Sequence, residues 1–153
     1  MPDKTPVSKF PVAFAKVDYR SLNAKEKEVY NFHHIGALLA KHGFASYPIR
    51  DDWSGGDMFA RHMVTRKSLT IQIKGRLTFA RKYLGKEIHI GFPKQDAAFV
   101  YPHDEILSKY LKLRKKKGNP LEDNEAWSVG GQVHWGRPTG DLLELLRGYE
   151  LTP

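Results

Sequence analysis

The chain has 153 residues, which is enough for one domain with a sizeable hydrophobic core. It has no cysteine, which excludes disulfides, thiolate metal sites and cysteine nucleophiles and is typical of a reducing cytoplasm. It has neither a membrane-length apolar run nor a secretory signal peptide, and its net charge of +8 favours nucleic acid as the partner of a cytoplasmic protein.

The first predicted elements are an extended arm and a long helix. Residues 1–22 carry several prolines and show little periodicity, so we interpret them as an N-terminal arm. Asn23, with Glu26 three residues later, predicts a capped helix start, and Gly43 predicts the end of the helix after about His42. The predicted apolar stripe of this helix consists of Val29, Phe32, Gly36, Leu39 and Ala40.

Strands are expected next. Phe44–Ile49 predicts a first strand, and Gly55–Lys74 predicts a β-hairpin, because two β-prone runs flank a polar turn at Val64–Ser68. The remaining predicted elements are, in order, a helical or irregular basic segment at Leu77–Lys86, strands at Glu87–Phe92 and Ala97–Tyr101, a helix at Asp104–Lys117, a loop-rich segment at Gly118–Arg137 and a short helix at Asp141–Arg147. This order predicts an α/β fold with a mixed sheet flanked by helices, in a single domain over 23–153.

The side chains of the predicted hairpin alternate between the two faces of the sheet. The residues of its second strand that are expected to face the core are Leu69, Ile71 and Ile73. Gln72 and Lys74 share the other face with Thr70, about 7 Å apart along the strand. If the strands pair around the turn, Asp57 lies beside Gln72. An amide, an ammonium and a carboxylate at one place are costly unless partnered, which indicates a functional site.

The cationic residues are concentrated after Asp57, since no acidic residue occurs between it and Glu87. Cations interleaved with aromatic rings are typical of a surface that binds phosphates and bases. The predicted nucleic-acid-binding residues are Arg61, Arg66, Lys67, Arg76, Arg81, Lys82 and Lys86. A second basic run, Lys109–Lys117, fits either phosphate binding or a solvated helix end, where cations favour the helix dipole.

Several motifs together resemble the PD-(D/E)XK nuclease superfamily, which includes archaeal Holliday-junction resolvases and restriction endonucleases. They are Glu28 on the helix, Gly43-Phe44 before the strand, Asp57, and Gln72-Ile73-Lys74 at the end of an apolar strand. The last motif is similar to the Gln-x-Lys variant of some homing endonucleases. The resemblance implies a restriction-endonuclease-like core over about 24–112, with 118–153 as a C-terminal extension outside it. Gly56 stands where the family has proline, and Gln72 replaces an acid.

The resemblance also implies the chemistry. Magnesium or manganese would be held by oxygens of Asp57 and Gln72 and by the backbone carbonyl of Ile73. Such a metal acidifies water and polarises a phosphate, and Lys74 would neutralise charge in the transition state. Glu28 would hold a water or steady Lys74. The expected function is metal-dependent endonucleolytic hydrolysis of phosphodiester bonds, with DNA as the expected substrate.

Other interpretations remain open. Gln72 weakens the metal site, so a catalytically inactive nucleic-acid-binding module with the same fold is the main alternative, and a basic protein-interaction domain is a third. Asp57 could cap the glycine turn, Gln72 and Lys74 could form a solvated sheet face, and Glu28 could be an exposed helix residue with Asn31 as its rival. The sequence leaves open the substrate structure, the sequence specificity and whether the chain forms a homodimer.

Overall fold

The computed structural model describes residues 14–50, 55–138 and 140–153. Its first helix, α1 (Ala24–Lys41), begins with the predicted capping box. The Asn23 side chain accepts a hydrogen bond from the Glu26 N–H at 2.9 Å, and the Glu26 carboxylate accepts one from the Asn23 N–H at 2.8 Å. The helix ends at Lys41 with His42 as its C-cap, because Gly43 follows at a φ of +85° that favours glycine. Within these residues no helix is long and apolar enough to cross a membrane.

The N-terminal arm is described only in part, since residues 1–13 of the predicted arm lie outside the described residues. Its remaining part ends in a 3-10 turn at Tyr19–Ser21. The Tyr19 hydroxyl accepts a hydrogen bond from the Asn31 amide of α1 at 3.0 Å, and its ring meets the Tyr30 ring edge-on at 5.2 Å. The end of the arm is therefore packed against the helix.

The strands form a mixed sheet. Those of the described residues are β1 (Phe44–Pro48), β2 (Met58–His62), β3 (Ser68–Ile73), β4 (Leu77–Ala80), β5 (Ile88–Lys94), β6 (Ala97–Pro102), β7 (Gln132–Trp135) and β8 (Glu150–Leu151). Among them, the main sheet has the order β1-β2-β3-β5-β6-β8, and β4 pairs with β7 separately. Only the β3–β5 pair of the described main sheet is parallel. The further helices are α2 (His103–Lys116), α3 (Glu125–Ser128) and α4 (Gly140–Leu146). The predicted α/β fold with a mixed sheet flanked by helices is confirmed.

The two faces of the main sheet are covered differently. On one face, α1 packs Ile35 and Leu38 against a cluster that includes Met58, Ala60 and Ile71. On the other face, the small sheet and helices α2 to α4 cover β5 and β6. That cover does not extend over β1 to β3, where the outward side chains are exposed or half-buried. We call this surface the open face; its residues are Ala45, Tyr47, Asp57, Phe59, Arg61, Ser68, Thr70, Gln72 and Lys74.

The predicted apolar stripe of α1 is wrong in part. Val29 and Ala40 are exposed, whereas Ile35 and Leu38 are buried. The stripe is rotated because the helix packs on β2 and β3 through the side nearest Met58 and Ile71. Gly36 lies at its margin, where an added Cβ would come within 3.7 Å of the Ser46 Cβ and 3.8 Å of the Met58 Cε.

Two predicted segments contain elements that the sequence did not indicate. Leu77–Lys86 is not helical, because it opens with β4, whose four residues are all buried, before a 3-10 turn at Arg81–Tyr83. The predicted loop after Gly118 contains α3 and β7. The two misses have one cause, since β4 and β7 pair across more than fifty residues, from Leu77↔Trp135 to Ala80↔Gln132.

Buried polar groups join the small sheet to the main one. The Tyr101 hydroxyl donates to the Thr78 carbonyl at 2.5 Å and accepts from the Thr78 N–H at 3.2 Å. His103 Nε2 accepts the Ala80 N–H at 3.0 Å, so Nδ1 carries the proton and donates to the Asp104 carboxylate at 2.8 Å. These bonds satisfy backbone groups of β4 that would otherwise be buried without partners.

Candidate functional site

Asp57 is fixed where the hairpin begins. Its N–H donates to the Ile71 carbonyl and its carbonyl accepts from the Ile49 N–H, both at 2.9 Å, so its backbone is bonded on two sides. The preceding glycines permit this approach. Gly55 has a φ of +74°, and a Cβ on Gly56 would lie 2.5 Å from the Thr70 Cγ2. The nuclease superfamily that the sequence resembles has proline where this chain has Gly56. In this structure, the close approach of the Thr70 side chain accounts for the glycine.

The Asp57 carboxylate is bonded to the second strand of the hairpin. Its Oδ2 accepts a hydrogen bond from the Gln72 Nε2 at 2.5 Å and another from the Ile73 backbone N–H at 2.9 Å. The pairing Met58↔Ile71 places Asp57 opposite Gln72, as the hairpin pattern predicts. The N–H and carbonyl of one strand residue point to the same side, so the Ile73 carbonyl also points toward Asp57. The structure therefore brings together three of the sequence-predicted residues.

Lys74 lies on the same face just beyond β3. Its N–H donates to the Gly91 carbonyl at 2.8 Å, which fixes its backbone to β5. Its ammonium lies over the ring of Tyr83, 5.7 Å from the ring centroid, and the ammonium of Lys82 lies 5.1 Å from the same centroid. Tyr83 is buried, so its ring is a fixed support for a flexible lysine. The sequence did not indicate this role, because Tyr83 meets Lys74 only through the turn after β4.

Glu28 forms an ion pair with Lys25, which was not among the predicted site residues. Its carboxylate accepts a hydrogen bond from the Lys25 ammonium at 2.8 Å. The pKa of Lys25 is raised above its ordinary value, first by Glu28 and, to a smaller extent, by the negative charge of Asp57. The spacing of Lys25 and Glu28, three residues apart on a helix, is the signal that could have found the pair.

Asn31, the rival of Glu28, has a different environment. Its side chain is buried and donates to Tyr19 of the arm. Its Oδ1 is a buried atom without a hydrogen-bond partner among the described residues. Asn31 therefore holds the arm to α1.

The predicted nucleic-acid-binding residues are spread over several places. Lys82 and Lys86 lie near the site, since Lys82 shares the Tyr83 ring with Lys74 and the Lys86 Nζ lies 3.9 Å from the Cβ position of Gly55. Arg61 lies on the open face, and Arg76 is exposed after β3. Arg66 and Lys67 are exposed in the hairpin turn, at the opposite end from Asp57.

Arg81 differs from the other predicted cations. Its guanidinium lies 5.1 Å from the centroid of the buried Trp127 ring and donates to the Ser128 carbonyl at 3.4 Å. Its backbone N–H donates to the Gly131 carbonyl at 2.8 Å. Arg81 thus supports the packing of α3 and β7, and its substitution would combine a structural effect with any loss of phosphate binding.

The donor set limits how a metal could bind. Within the described residues, no group of three or more histidine, cysteine, aspartate or glutamate side chains could hold a metal ion. The predicted ligands offer one carboxylate, from Asp57, one amide oxygen, from Gln72, and the Ile73 carbonyl. These oxygens suit magnesium, which keeps several waters and binds few carboxylates. The Gln72 amide must turn, because its Nε2 now faces Asp57.

Comparisons with known proteins give one structural likeness. No protein-family model matches the chain, and no curated protein matches its sequence. In structure, the chain is similar to a bacterial homing endonuclease, I-Ssp6803I, with a TM-score of 0.45 and 14% sequence identity over 78% of this chain and 79% of that chain. A likeness at this level assigns no activity and no residue role, so the roles of Asp57, Gln72 and Lys74 rest on their own geometry.

Proposed function

We propose that this protein is a metal-dependent endonuclease that hydrolyses phosphodiester bonds in DNA. One observation carries the proposal: Asp57 and Gln72 are hydrogen-bonded on the open face, and Lys74 follows two residues later on that face. Acidic residues are absent from the sequence between Asp57 and Glu87, so a polyanion approaching Lys74 meets a cationic segment.

Each residue has a role that follows from its contacts. Asp57, the Ile73 carbonyl and, once its amide has turned, the Gln72 oxygen would hold magnesium or manganese. When bound, the cation supplies charge stabilisation at the phosphate and acidifies a water. The Ile73 N–H holds the Asp57 carboxylate in place, which lowers the reorganisation needed when substrate arrives.

Lys74 stabilises the charge that develops on the phosphate as water adds and the bond to the leaving oxygen breaks. The Tyr83 ring limits where its ammonium can lie. Lys25, the ion-pair partner of Glu28 in the first turn of α1, would add a further positive charge for approaching DNA. Glu28 therefore acts by orienting Lys25.

A specific observation favours the second candidate, a nucleic-acid-binding module without catalytic activity. The Asp57 Oδ2 already accepts two hydrogen bonds from within the chain, and one of the donors is the Gln72 amide. A carboxylate satisfied in this way can be a purely structural feature of the hairpin. In that case the cations of the segment would bind DNA and no bond would be cleaved.

The test is cleavage of plasmid and branched DNA with magnesium, with manganese and with a chelator. The wild type is expected to cleave only with metal, and Lys74→Ala to lower single-turnover cleavage about a hundredfold or more with DNA affinity nearly unchanged. Lys41→Ala is the control, since Lys41 is an exposed lysine at the end of α1, outside both basic segments. DNA binding by the wild type without cleavage in either metal would establish the binding module instead.

A further inference from the structure

Two aromatic side chains stand opposite each other on the open face. Tyr47 of β1 pairs with Phe59 of β2, and Phe59 pairs with Thr70 of β3, so the three side chains form one row across the sheet. Tyr47 is 56% exposed and Phe59 is 36% exposed. In the same sheet row, β5 contributes Ile88, which is buried beneath the small sheet and helices. The aromatic pair thus lies on the part of the main sheet that the small sheet and helices α2 to α4 do not cover.

The pair lies next to the candidate site. Phe59 follows Asp57 by two residues, so the two side chains share a face about 7 Å apart along β2. Arg61 follows by two more residues on that face. Two adjacent exposed rings form a contiguous apolar patch, and each ring could bury an area of order 150 Å² against a ligand. Their position beside Asp57 points to a ligand that reaches the site as well.

The charges around the aromatic pair indicate which kind of ligand it binds. Asp57 is the one acidic residue among the described residues of the open face, where Arg61 and Lys74 are cationic. Lys86 adds a further ammonium beside Gly55. Two rings between positive charges match a chain that alternates flat bases with phosphates. A second copy of this protein would bring the same cations against each other, which opposes self-association through this face.

We propose that Tyr47 and Phe59 bind unpaired nucleotides, with bases stacked on the rings and phosphates contacted by Arg61. In a continuous duplex the base faces are already stacked and cannot cover a ring, whereas an unpaired strand exposes them. The inference rests on the proposed function and refines its substrate: DNA with a single-stranded segment next to the cleaved bond, such as a flap, a gap or a branch.

Binding to a short, labelled single-stranded oligonucleotide and to a matched duplex tests the proposal, with a chelator present to prevent cleavage. Tyr47→Ala is expected to weaken single-strand binding about five- to hundredfold and duplex binding much less. Tyr47→Phe and Phe59→Tyr should retain wild-type affinity, because each keeps a ring. Val129→Ala, at a residue that is 79% exposed and caps the C-terminus of α3, serves as the control for loss of an exposed apolar side chain.

The salt dependence separates stacking from charge. Tyr47→Ala should leave the slope of log affinity against log salt unchanged, whereas Arg61→Ala should reduce it by about one phosphate contact. Equal losses for single strand and duplex would overturn the proposal. So would unchanged single-strand binding in Tyr47→Ala and Phe59→Ala. A shift of oligomeric state in sedimentation of Tyr47→Ala without DNA would assign the face to self-association and also overturn it.

The two proposals fail separately. Because binding is measured with a chelator, single-strand stacking without any cleavage by the wild type would overturn the nuclease function and leave this inference standing. Cleavage of flapped and continuous duplex DNA at the same rate, with Tyr47→Ala unchanged on both, would overturn this inference and leave the nuclease function standing.

Discussion

The main sheet has an open half, β1 to β3, and a covered half, β5, β6 and β8. The two halves differ in how their faces are covered, and their sequences differ accordingly. In β6, Ala98 to Tyr101 are all buried, because α1 lies on one side and the small sheet and helices on the other. In β2, buried and exposed residues alternate from Met58 to Arg61. Continuous apolar strands are typical of sheets buried on both faces, and alternating strands of sheets with one solvated face. The alternation therefore marks the face on which chemistry can take place.

Polar groups follow the same division. In the covered half, the buried side chains of Tyr101 and His103 bond to backbone groups of β4. In the open half, Asp57 and Gln72 bond to each other beside solvent. We expect substitutions in the covered half to change stability, and substitutions in the open half to change binding and cleavage.

The largest expected effect on stability comes from Tyr101→Phe. It removes one hydroxyl and leaves both the N–H and the carbonyl of the buried Thr78 without that partner. Each buried unsatisfied group costs about 1–3 kcal/mol, so we expect a loss of at least about 2 kcal/mol in the free energy of unfolding. Urea denaturation measures this loss. Tyr47→Phe is the matched control in the open half, and a comparable loss in both variants would contradict the division.

The hairpin start can be tested with Gly56→Ala. The new Cβ would lie 2.5 Å from the Thr70 Cγ2, so the loop or Thr70 must shift, at a cost of about 1–3 kcal/mol. Cleavage should fall as well, because Asp57 is the next residue. Thr70→Ser removes the clashing methyl group and should recover part of both losses in the double variant, which a double-mutant cycle measures. Gly148→Ala is the control, since nothing lies within 4 Å of its Cβ position. Additive effects of the two substitutions would show that the contact does not constrain Asp57.

The smallest expected effect is a dependence of stability on pH. Burial lowers the pKa of His103 below its ordinary value of 6.5, although Asp104 opposes the shift. The unfolded chain therefore binds the proton more readily, so stability should be complete above about pH 6.5 and fall as the pH drops toward the folded-state pKa. The slope is at most about 1.4 kcal/mol per pH unit for one histidine.

Unfolding by urea between neutral and mildly acidic pH measures that slope. His89 contributes in the same direction, because burial also lowers its pKa. Both histidines lie in the covered half or at its margin, so His103→Gln should flatten the profile. If His103→Gln leaves the profile of stability against pH unchanged, His103 is not the cause of the pH dependence.

Local patterns predicted most of the elements. The capping box of Asn23 and Glu26, the glycine after α1 and the alternating hairpin are signals contained in a few residues, and they placed α1, β2 and β3 correctly. The segment that became β4 could not be predicted in this way. Its apolar residues are followed at once by Arg81 and Lys82, and its partner β7 lies more than fifty residues away.

The candidate site was predictable to the same extent. Alternation along one strand and pairing around one turn were enough to place Asp57 beside Gln72, with Lys74 on the same face. The Tyr83 ring under Lys74 depends on tertiary packing, which no spacing in the sequence encodes. Tyr47 was missed because its significance appears only when β1 pairs with β2 and brings Phe59 opposite to it.

The central claim is that Asp57 and Gln72 hold a catalytic metal, and Gln72→Glu tests it most directly. A second carboxylate should tighten the site, since hard divalent cations prefer charged oxygen ligands. Metal uptake is measured by calorimetric titration with and without DNA, in parallel with cleavage. The matched variant Gln72→Ala, which leaves no oxygen at this position, should lose both metal uptake and cleavage.

We expect Gln72→Glu to bind magnesium more tightly than the wild type, and the wild type to bind it more tightly once DNA adds its own phosphate oxygens. Cleavage by the wild type should appear over the same range of magnesium concentration as its uptake. If neither the wild type nor Gln72→Glu takes up magnesium or manganese with DNA bound, the open face carries no metal site and the nuclease mechanism is wrong.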